Sequence, residues 1–328
     1  MKTSIKVAVL LIVISFITNI YSISDDAGTT GFNSLKIVYS ARANAMGGAF
    51  TALDDDIDVV FFNPANLARY KNKREISSTF MNYFDGYNGG SVVYQFKKSD
   101  NVNVAFFTQY LASDEITKTV ELPSGGFTEA GTFTSSDLTL GATYSYYFNE
   151  ALNLGVNAKY INESIDGNSA SALAFDIGLL HRPENERVRV GATIRNIGTQ
   201  LTYFTDSEYK ENLPLTYAGG LSYRFDLKKN QAFDGFKPTM IIALDVSMPK
   251  GSDFTGAIGA DIHVHKLLFF RLGYKSNADN WKTGGDYEGL AGLSTGLGFV
   301  KNNIKVDYSI NSYGDLGLVN QISLKYQF

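Results

Sequence analysis

The sequence predicts an all-β protein, a transmembrane antiparallel β-barrel of about 14 strands that occupies residues 75–328. Two observations lead to this prediction. From residue 75 to the last residue, apolar and polar residues alternate repeatedly with a period of two, which is the pattern of strands with one apolar and one wet side. The composition agrees, because 13% of the residues are aromatic and only 6 of 328 are proline, and strands favour aromatic residues and exclude proline.

Residues 1–24 have the pattern of a secretory signal peptide. Lys2 and Lys6 precede an apolar run at 7–18, and Ser22 and Ser24 follow it as small residues. The run is too short to cross a bilayer as a helix, so a retained membrane anchor is the less favoured alternative. We therefore expect cleavage of this segment and export to the cell outer membrane of a Gram-negative-type cell.

Residues 25–74 precede the alternating pattern and differ from it. The stretch DVVFFNPANLARY (58–70) is apolar, turns at Asn63-Pro64 and then resembles a short helix. Asn63 suits the N-cap of that helix and Pro64 its first turn. The sequence therefore predicts a separate, buried segment with short helices before the barrel.

The alternation predicts fourteen strands after this segment. Their predicted ranges are 75–84, 89–98, 101–111, 136–148, 151–162, 170–182, 187–198, 214–226, 238–248, 254–264, 267–275, 289–300, 303–311 and 316–328. Tight turns alternate with longer loops, notably 112–135, 199–213 and 276–288, and the 227–237 connection is the exception on the short-turn side. Short periplasmic turns and long outer loops are typical of bacterial barrels.

Charged residues lie deep within the polar faces of these strands. A wet lumen tolerates them, whereas the core of a soluble sandwich would not. The polar faces are therefore expected to line the lumen, and the apolar faces to contact outer-membrane lipid. The predicted lumen-facing residues are Lys159, Arg189, Arg195, Arg224, Asp245, Asp261, Arg271, Lys305 and Asp307.

Aromatic residues collect where strands meet the short turns, for example at Tyr146 and Phe148, and predict an interfacial girdle. The chain ends in an alternating strand whose last residues include Tyr326 and Phe328. We interpret these two residues as the signal that barrel-assembly machinery reads, so this machinery is an expected partner.

Several motifs together resemble the PorV/PorQ family, which is related to the FadL-like outer-membrane transporters of hydrophobic compounds. They are SARANAMGGAFTALDDD (40–56), NPANLA (63–68), IRNIGTQLTY (194–203), LPLTYAGGLSY (213–223), FRLGY (270–274), GLSTGLGF (292–299), VDYS (306–309) and GDLG (314–317). Asn66 departs from the family pattern, which usually has Gly there, and Leu318-Val319-Asn320 replaces a more polar sequence.

The resemblance implies that residues 25–74 fold into the lumen as a plug. A fourteen-stranded barrel is wider than its own side chains can fill, and Gly47-Gly48 would allow close packing against the wall. A structured periplasmic cap is the alternative, but it would expose the apolar run. The expected plug residues are Gly47, Gly48, Phe61, Phe62, Asn63 and Pro64.

Other chemistry finds little support in the sequence. We read the cluster Asp54, Asp55, Asp56 and Asp58 as a turn with solvated charges rather than a Ca²⁺ site, because its spacing is not that of an EF-hand. The run Asp261–His265 places one aspartate and two histidines on one strand face, but we favour ordinary lumen and rim residues over a metal site. We therefore expect no metal, no cofactor and no enzymatic activity.

The absence of cysteine excludes disulfides and a Cys nucleophile, and the net charge of −4 argues against nucleic-acid binding. Two functions remain. The resemblance favours a type IX-like secretion accessory, a docking barrel whose long loops contact secretion subunits or exported proteins. The alternative is a FadL-like transporter of hydrophobic small molecules such as long-chain fatty acids, with a path along Phe61, Phe62, Phe107 and Phe269.

Overall fold

The structure is a computed structural model that describes residues 29–183, 187–205, 210–227, 236–276 and 284–328. The predicted signal peptide and residues 25–28 of the predicted plug lie outside the described residues. Parts of the predicted loops 199–213 and 276–288 and of the 227–237 connection lie outside them as well.

Fourteen of the strands close into one antiparallel barrel, and two form a separate hairpin. In the barrel each strand pairs with its neighbour in the chain, except that β3 pairs with β6, and β1 pairs with β16 to close the ring. The strands are β1 (Arg74–Asn82), β2 (Tyr87–Ser99), β3 (Val102–Ser113), β4 (Ile116–Glu121), β5 (Phe127–Phe133), β6 (Ser135–Tyr147), β7 (Leu152–Ile165), β8 (Asn168–His181), β9 (Val188–Thr202), β10 (Thr216–Asp226), β11 (Thr239–Pro249), β12 (Thr255–His265), β13 (Leu268–Lys275), β14 (Leu293–Lys301), β15 (Ile304–Ser312) and β16 (Leu318–Gln327).

This architecture confirms the predicted barrel of fourteen antiparallel strands, and each predicted strand begins and ends within four residues of an observed one. The long connection predicted at 112–135 joins β3 to β6, and it contains a two-stranded sheet of β4 and β5 that the sequence did not predict. The connections at that end of the barrel are also not all long. A tight turn with positive φ at Asp166 (48°) and Gly167 (79°) joins β7 to β8.

The outer face of the barrel is apolar. Large side chains that point outward in the middle of strands are half exposed, among them Phe106 (55%), Phe175 (53%) and Leu297 (60%). Their sequence neighbours Ala105, Asp176 and Gly298 point inward. A continuous apolar exterior over a polar interior is the arrangement of a transmembrane β-barrel. Among the described residues, no helix is long and apolar enough to cross a membrane.

Residues 29–73 lie inside the barrel and form short helices rather than strands. They contain 3₁₀ helices at Asn33–Lys36, Ile57–Phe61 and Pro64–Arg69, and the α-helix α1 at Ala41–Ala45. Two further 3₁₀ turns, Glu288–Leu290 and Gly314–Leu316, lie in loops between strands. We call residues 29–73 the plug segment.

The plug segment runs from one end of the barrel to the other. Thr30 bridges to Asn212 in the connection between β9 and β10, at the end with the longer loops. At the other end, Arg69 donates to the carbonyl oxygen of Glu150 in the short β6–β7 turn (3.3 Å). The segment therefore enters the lumen at the long-loop end and leaves it where β1 begins.

The plug backbone packs directly against three cross-strand pairs of glycines in the wall. Gly155 and Gly178 lie under Asn63–Ala65, Gly191 and Gly220 under Thr51–Ala52, and Gly259 and Gly273 under Met46–Gly47. A Cβ at Gly191 would lie 2.2 Å from the carbonyl oxygen of Thr51. The missing side chains thus allow backbone-to-backbone contact between wall and plug.

Candidate functional site

Three of the four aspartates in the acidic cluster of the plug are buried and ion-paired, so the interpretation as a turn with solvated charges is wrong for them, whereas Asp55 is exposed. Asp54 contacts Arg182 and lies 2.7 Å from Arg189 Nε. Asp54, Asp56 and Asp58 are all buried, and Asp58 is fully so. Burial of an ionised carboxylate requires a partner, and the lumen wall supplies it.

Asp56 and Asp58 share one lysine of the last strand. Lys325 Nζ contacts Asp56 and lies 2.8 Å from Asp58 Oδ2, while Ser40 Oγ donates to the same Asp58 oxygen (2.8 Å). Burial alone would raise the pKa of Asp56, but Lys325, Lys305 and Arg42 outweigh burial and hold this pKa well below its ordinary value. The pKa of Asp58 is instead raised, because burial and the Asp56 charge oppose its ionisation.

Arg42 of α1 joins the plug charges to those of the wall. Its guanidinium lies 2.8 Å from Asp261 Oδ2 and 3.3 Å from Asp56 Oδ2. Arg271 extends the chain of charges, with Nε 3.3 Å from Asp261 and Nη1 2.8 Å from Asp307. We call the ion pairs between plug residues 42–58 and the wall the ionic clamp.

All nine residues that the sequence assigned to the lumen lie on the inner side of the barrel. Arg189, Arg224, Asp261 and Lys305 belong to the ionic clamp, with Arg224 at the long distance of 4.0 Å from Asp55. Arg195 Nη1 donates to the carbonyl oxygen of Phe61 (3.1 Å), and Asp245 Oδ2 accepts from the backbone N–H of Phe50 (2.8 Å) and Thr51 (2.7 Å). Arg271 and Asp307 pair with each other, and Lys159 pairs with Asp176.

The sequence reasoning missed Arg42, Asp176, Arg182 and Lys325 as functional residues. Lys325 could have been found, because it lies on the polar face of the last alternating strand. Arg42 lies in a five-residue helix that is buried on all sides, so no periodicity marks it.

The predicted plug residues occupy distinct positions. Asn63 Oδ1 accepts from the N–H of Ala65 (3.1 Å) and caps the helix that begins at Pro64, and its Nδ2 donates to the carbonyl oxygen of Leu179 on the wall (3.0 Å). Gly47 packs against the backbone of Tyr274. Gly48 does not approach the wall, because a Cβ there would meet only Val38. Its backbone φ of +83° is the conformation that favours glycine at this position.

The three residues Asp261, His263 and His265 do not converge on one point. Asp261 pairs with Arg42 and Arg271, whereas His263 stacks on Phe269 with ring centroids 4.0 Å apart and an angle of 7°. The part of the chain that the structure describes contains no group of three or more His, Cys, Asp or Glu residues placed to hold a metal ion.

An internal cavity of about 140 Å³ lies between the plug and the wall, on the long-loop side of the ionic clamp. Its apolar side consists of Val38, Val60, Phe61, Phe62 and Phe107. The Phe61 and Phe107 rings meet edge to face at 5.4 Å. Phe269, the fourth residue of the predicted path, does not line this cavity and packs near the opposite end, beside His263.

A β-bulge shapes the polar side of the cavity. Phe175 pairs with Ile197 and Ile177 with Ile194, so Arg195 and Asn196 of β9 face Asp176 alone. Bulges redirect side chains, and Asn196 adopts a left-handed φ of 63° here. As a result, Lys159, Asp176, Arg195 and Asn196 all line the cavity.

A second, wider cavity of about 680 Å³ lies above the first, at the long-loop end. We call it the vestibule. Aromatic side chains line it, including the cluster of Tyr83, Phe84 and Tyr313, together with the carboxylates of Asp137 and Glu163. Asp137 and Glu163 lie directly opposite each other on β6 and β7.

Tyr326 and Phe328 both lie on the outer surface, with rings in edge-to-face contact at 5.0 Å. The N–H of Phe328 donates to Arg74 at the start of β1 (3.2 Å). Both residues are therefore accessible from the membrane side at the seam where the barrel closes.

Solved structures share this fold at low sequence identity. The Pseudomonas putida toluene transporter TodX superposes with a TM-score of 0.56 at 13% identity, covering 88% of this chain and 96% of TodX. The Ralstonia pickettii toluene transporter TbuX gives 0.54 and 13%, covering 88% and 98%. The monoaromatic hydrocarbon channel CymD gives 0.57 and 12%, covering 88% and 97%.

No protein-family model and no curated protein sequence matches the chain. The structural similarities define the class of fold, a fourteen-stranded antiparallel barrel that is shared with solved monoaromatic hydrocarbon channels. They give no support to the PorV/PorQ part of the sequence resemblance.

Proposed function

We propose that this protein is an outer-membrane conduit for small hydrophobic or amphipathic molecules. The cavity between plug and wall is the observation that carries the proposal. Its volume of about 140 Å³ is close to that of a protein cavity of about 150 Å³ that binds benzene. The apolar side of Phe61, Phe62 and Phe107 would hold a ring or a short chain, and the polar side a head group.

The class of fold supports this proposal, since TodX and TbuX are named as toluene transporters and CymD as a monoaromatic hydrocarbon channel. The apolar exterior supports an outer-membrane location, with export through a cleaved signal peptide. A long-chain fatty acid is longer than the cavity, so it would need the adjoining vestibule or a displaced plug.

To test the conduit, a larger side chain on the barrel wall is used to fill the cavity. Ala257 of β12 lines the cavity, whereas Ala260 on the same strand points outward. In intact cells, we expect Ala257→Phe to reduce toluene uptake across the outer membrane about tenfold, the effect of 1.4 kcal/mol. Ala260→Phe should leave uptake unchanged. Equal uptake by cells with the wild type, with either variant and without the protein would refute the conduit.

A secretion accessory remains a second candidate on the basis of one observation. The β4–β5 hairpin projects from the long-loop end and exposes Val120, Leu122 and Phe127, of which Phe127 is 74% exposed. An isolated two-stranded hairpin is marginally stable in water, and an apolar tip is suited to protein contact. Photo-crosslinking from position 127 in cells, followed by mass spectrometry, should capture secretion subunits or exported proteins if this function holds.

A further inference from the structure

The short-turn end of the barrel is strongly basic around the seam where β1 pairs with β16. The chain segments that flank the strands there are KNKR (71–74), KKSDN (97–101) and KNN (301–303). Together they contain six basic residues and one acidic residue, Asp100. Asp100 pairs with Lys97 at 3.0 Å, so most of this positive charge has no acidic residue beside it in these segments.

The long-loop end of the same strands has the opposite charge. The flanking segments are YFDG (83–86), SDE (113–115) and YGDLG (313–317), which contain four acidic residues and no basic one. The two ends of the seam therefore face environments with which opposite charges interact favourably. A positive end attracts anions and repels cations.

Three of the six basic residues point to the outer, membrane-facing side of the barrel. They are exposed, and each lies two residues from an outward-facing side chain of its own strand. Arg74 follows the outward row of β1, Lys98 that of β2 and Lys301 that of β14. We call Arg74, Lys98 and Lys301 the outer basic cluster.

Aromatic rings surround this cluster on the membrane side. Phe96 is the pairing partner of Arg74, and the N–H of Phe328 donates to the Arg74 carbonyl oxygen (3.2 Å). Tyr326 contacts Phe328, and Phe299 precedes Lys301 on the outer face of β14. Aromatic side chains of membrane proteins lie at the depth of the lipid head groups, and long basic side chains extend from that depth toward them.

The outer basic cluster has no ion pair of its own in the part of the chain that the structure describes. A guanidinium and two ammonium groups thus lie at head-group depth without a protein carboxylate to neutralise them. Such groups suit phosphate, which arginine can bind with two parallel hydrogen bonds and lysine as a point charge.

We propose that the outer basic cluster binds the phosphate groups of phospholipids with a net negative charge, in the leaflet that faces the short turns. In bacterial barrels this is the periplasmic leaflet. The proposal depends on the membrane location of the barrel, but not on what the barrel conducts. A lipid fits better than a soluble anion, because the three cations stand beside rings that acyl chains cover.

The strand register indicates how many lipids are held. Lys98 lies two positions beyond Phe96, the partner of Arg74, which is a diagonal separation of about 7–8 Å. The Arg74 and Lys98 side chains can therefore reach one phosphate. Lys301 lies three strand spacings away, about 14 Å around the wall, so it contacts a second phosphate.

The experiment measures which lipid the full chain retains in detergent. The protein is mixed with equal amounts of phosphatidylglycerol and phosphatidylcholine that carry the same acyl chains, and native mass spectrometry counts the bound lipids. We expect the wild type to retain phosphatidylglycerol about tenfold over phosphatidylcholine. The triple variant Arg74→Gln, Lys98→Gln, Lys301→Gln should retain the two lipids equally.

Two further variants separate position from charge. Lys118→Gln, Lys210→Gln and Lys250→Gln together remove three exposed lysines from the long-loop end, and this control should keep the wild-type preference. A second triple variant, Arg74→Lys, Lys98→Arg, Lys301→Arg, preserves the three charges and should keep the preference as well.

Equal retention of the two lipids by the wild type would overturn the proposal and favour a soluble anionic partner for these residues. An equal loss of preference in both glutamine variants would also overturn it, because net charge alone would then select the lipid. Toluene uptake by cells with the Arg74, Lys98 and Lys301 glutamine variant should match the wild type at equal amounts of folded barrel. The lipid site and the conduit can therefore fail independently.

Discussion

The lumen contains two groups of buried charges that differ in how they are neutralised. In the ionic clamp, Asp54, Asp56, Asp58 and Arg42 each contact at least one opposite charge, and the group includes Asp261 and Lys325 of the wall. At the inner cavity, Lys36 and Arg195 bond to hydroxyl and carbonyl oxygens instead. Both groups consist of ordinary charged residues within one barrel.

The difference distinguishes residues that fix the plug to the wall by ion pairs from residues that line the inner cavity. A buried charge with a partner costs several kcal/mol when the partner is removed, so the ionic clamp fixes plug residues 42–58 to the wall. Lys36 and Arg195 instead hold the plug through hydrogen bonds to uncharged groups, to Thr30 and Ser252 from Lys36 and to the Phe61 carbonyl from Arg195. The comparison therefore assigns the strongest anchoring of the plug to residues 42–58.

The largest effect is expected at the centre of the ionic clamp. Arg42→Met leaves Asp261 and Asp56 without one of their partners, and should reduce the free energy of plug opening by about 3–5 kcal/mol, the usual loss for breaking a buried pair. Amide hydrogen exchange of residues 42–58 measures this free energy. Arg224→Met is the matched control, since its contact is 4.0 Å long and its side chain is 39% exposed. A similar loss in both variants would contradict the distinction between anchoring charges and peripheral ones.

A smaller effect separates the two carboxylates that share Lys325. Asp56 has a lowered pKa, so its stabilisation is fully present above the unfolded value of about 3.9 and is lost as the pH falls through the lower folded value. Asp58 has a raised pKa, so its ionisation opposes folding and protonation between the two values favours the folded state. At pH 7, Asp56→Asn should reduce stability by about 2 kcal/mol and Asp58→Asn by less than about 1 kcal/mol.

Guanidinium unfolding of the two variants at pH 7 and at pH 3 checks this assignment. The gap between the two variants should narrow at the lower pH, because unfolded wild type then binds a proton at Asp56 that the folded state does not bind, and part of the stabilisation from Asp56 is lost. A larger loss for Asp58→Asn than for Asp56→Asn at pH 7 would show that Asp58 is the carboxylate that carries the charge.

The smallest effect tests the uncharged contact between plug and wall. Gly191→Ala places a Cβ 2.2 Å from the Thr51 carbonyl oxygen, whereas at Gly219 on the neighbouring strand the nearest atom would be 3.8 Å away. We expect Gly191→Ala to lower the midpoint of thermal unfolding by the equivalent of about 1–3 kcal/mol, the range for overpacking. Gly219→Ala should unfold like the wild type. Identical midpoints in the two variants would show that the plug shifts without cost.

The barrel could be predicted from the sequence because successive residues of each strand alternate between lipid and the lumen. In strands such as β7, residues 154, 156 and 158 face lipid while 153, 157 and 159 face the lumen. The hairpin of β4 and β5 was not predicted because both of its faces are exposed. Such strands do not need to alternate between apolar and polar residues. The plug has no period at all, since its helices are only four to six residues long.

The sequence by itself determined the number of barrel strands, their inner and outer faces, and the cap of Asn63 on the helix at Pro64, because each depends on residues close together in the chain. Only the tertiary structure decided which charges meet. Asp56 and Lys325 are 269 positions apart, and which groups face Asp176 depends on the register of β8 and β9 and on the bulge at Arg195 and Asn196. Burial and compensation of charge arise when distant segments of the chain line one lumen, so the anchoring residues of this barrel could be identified only from the tertiary structure.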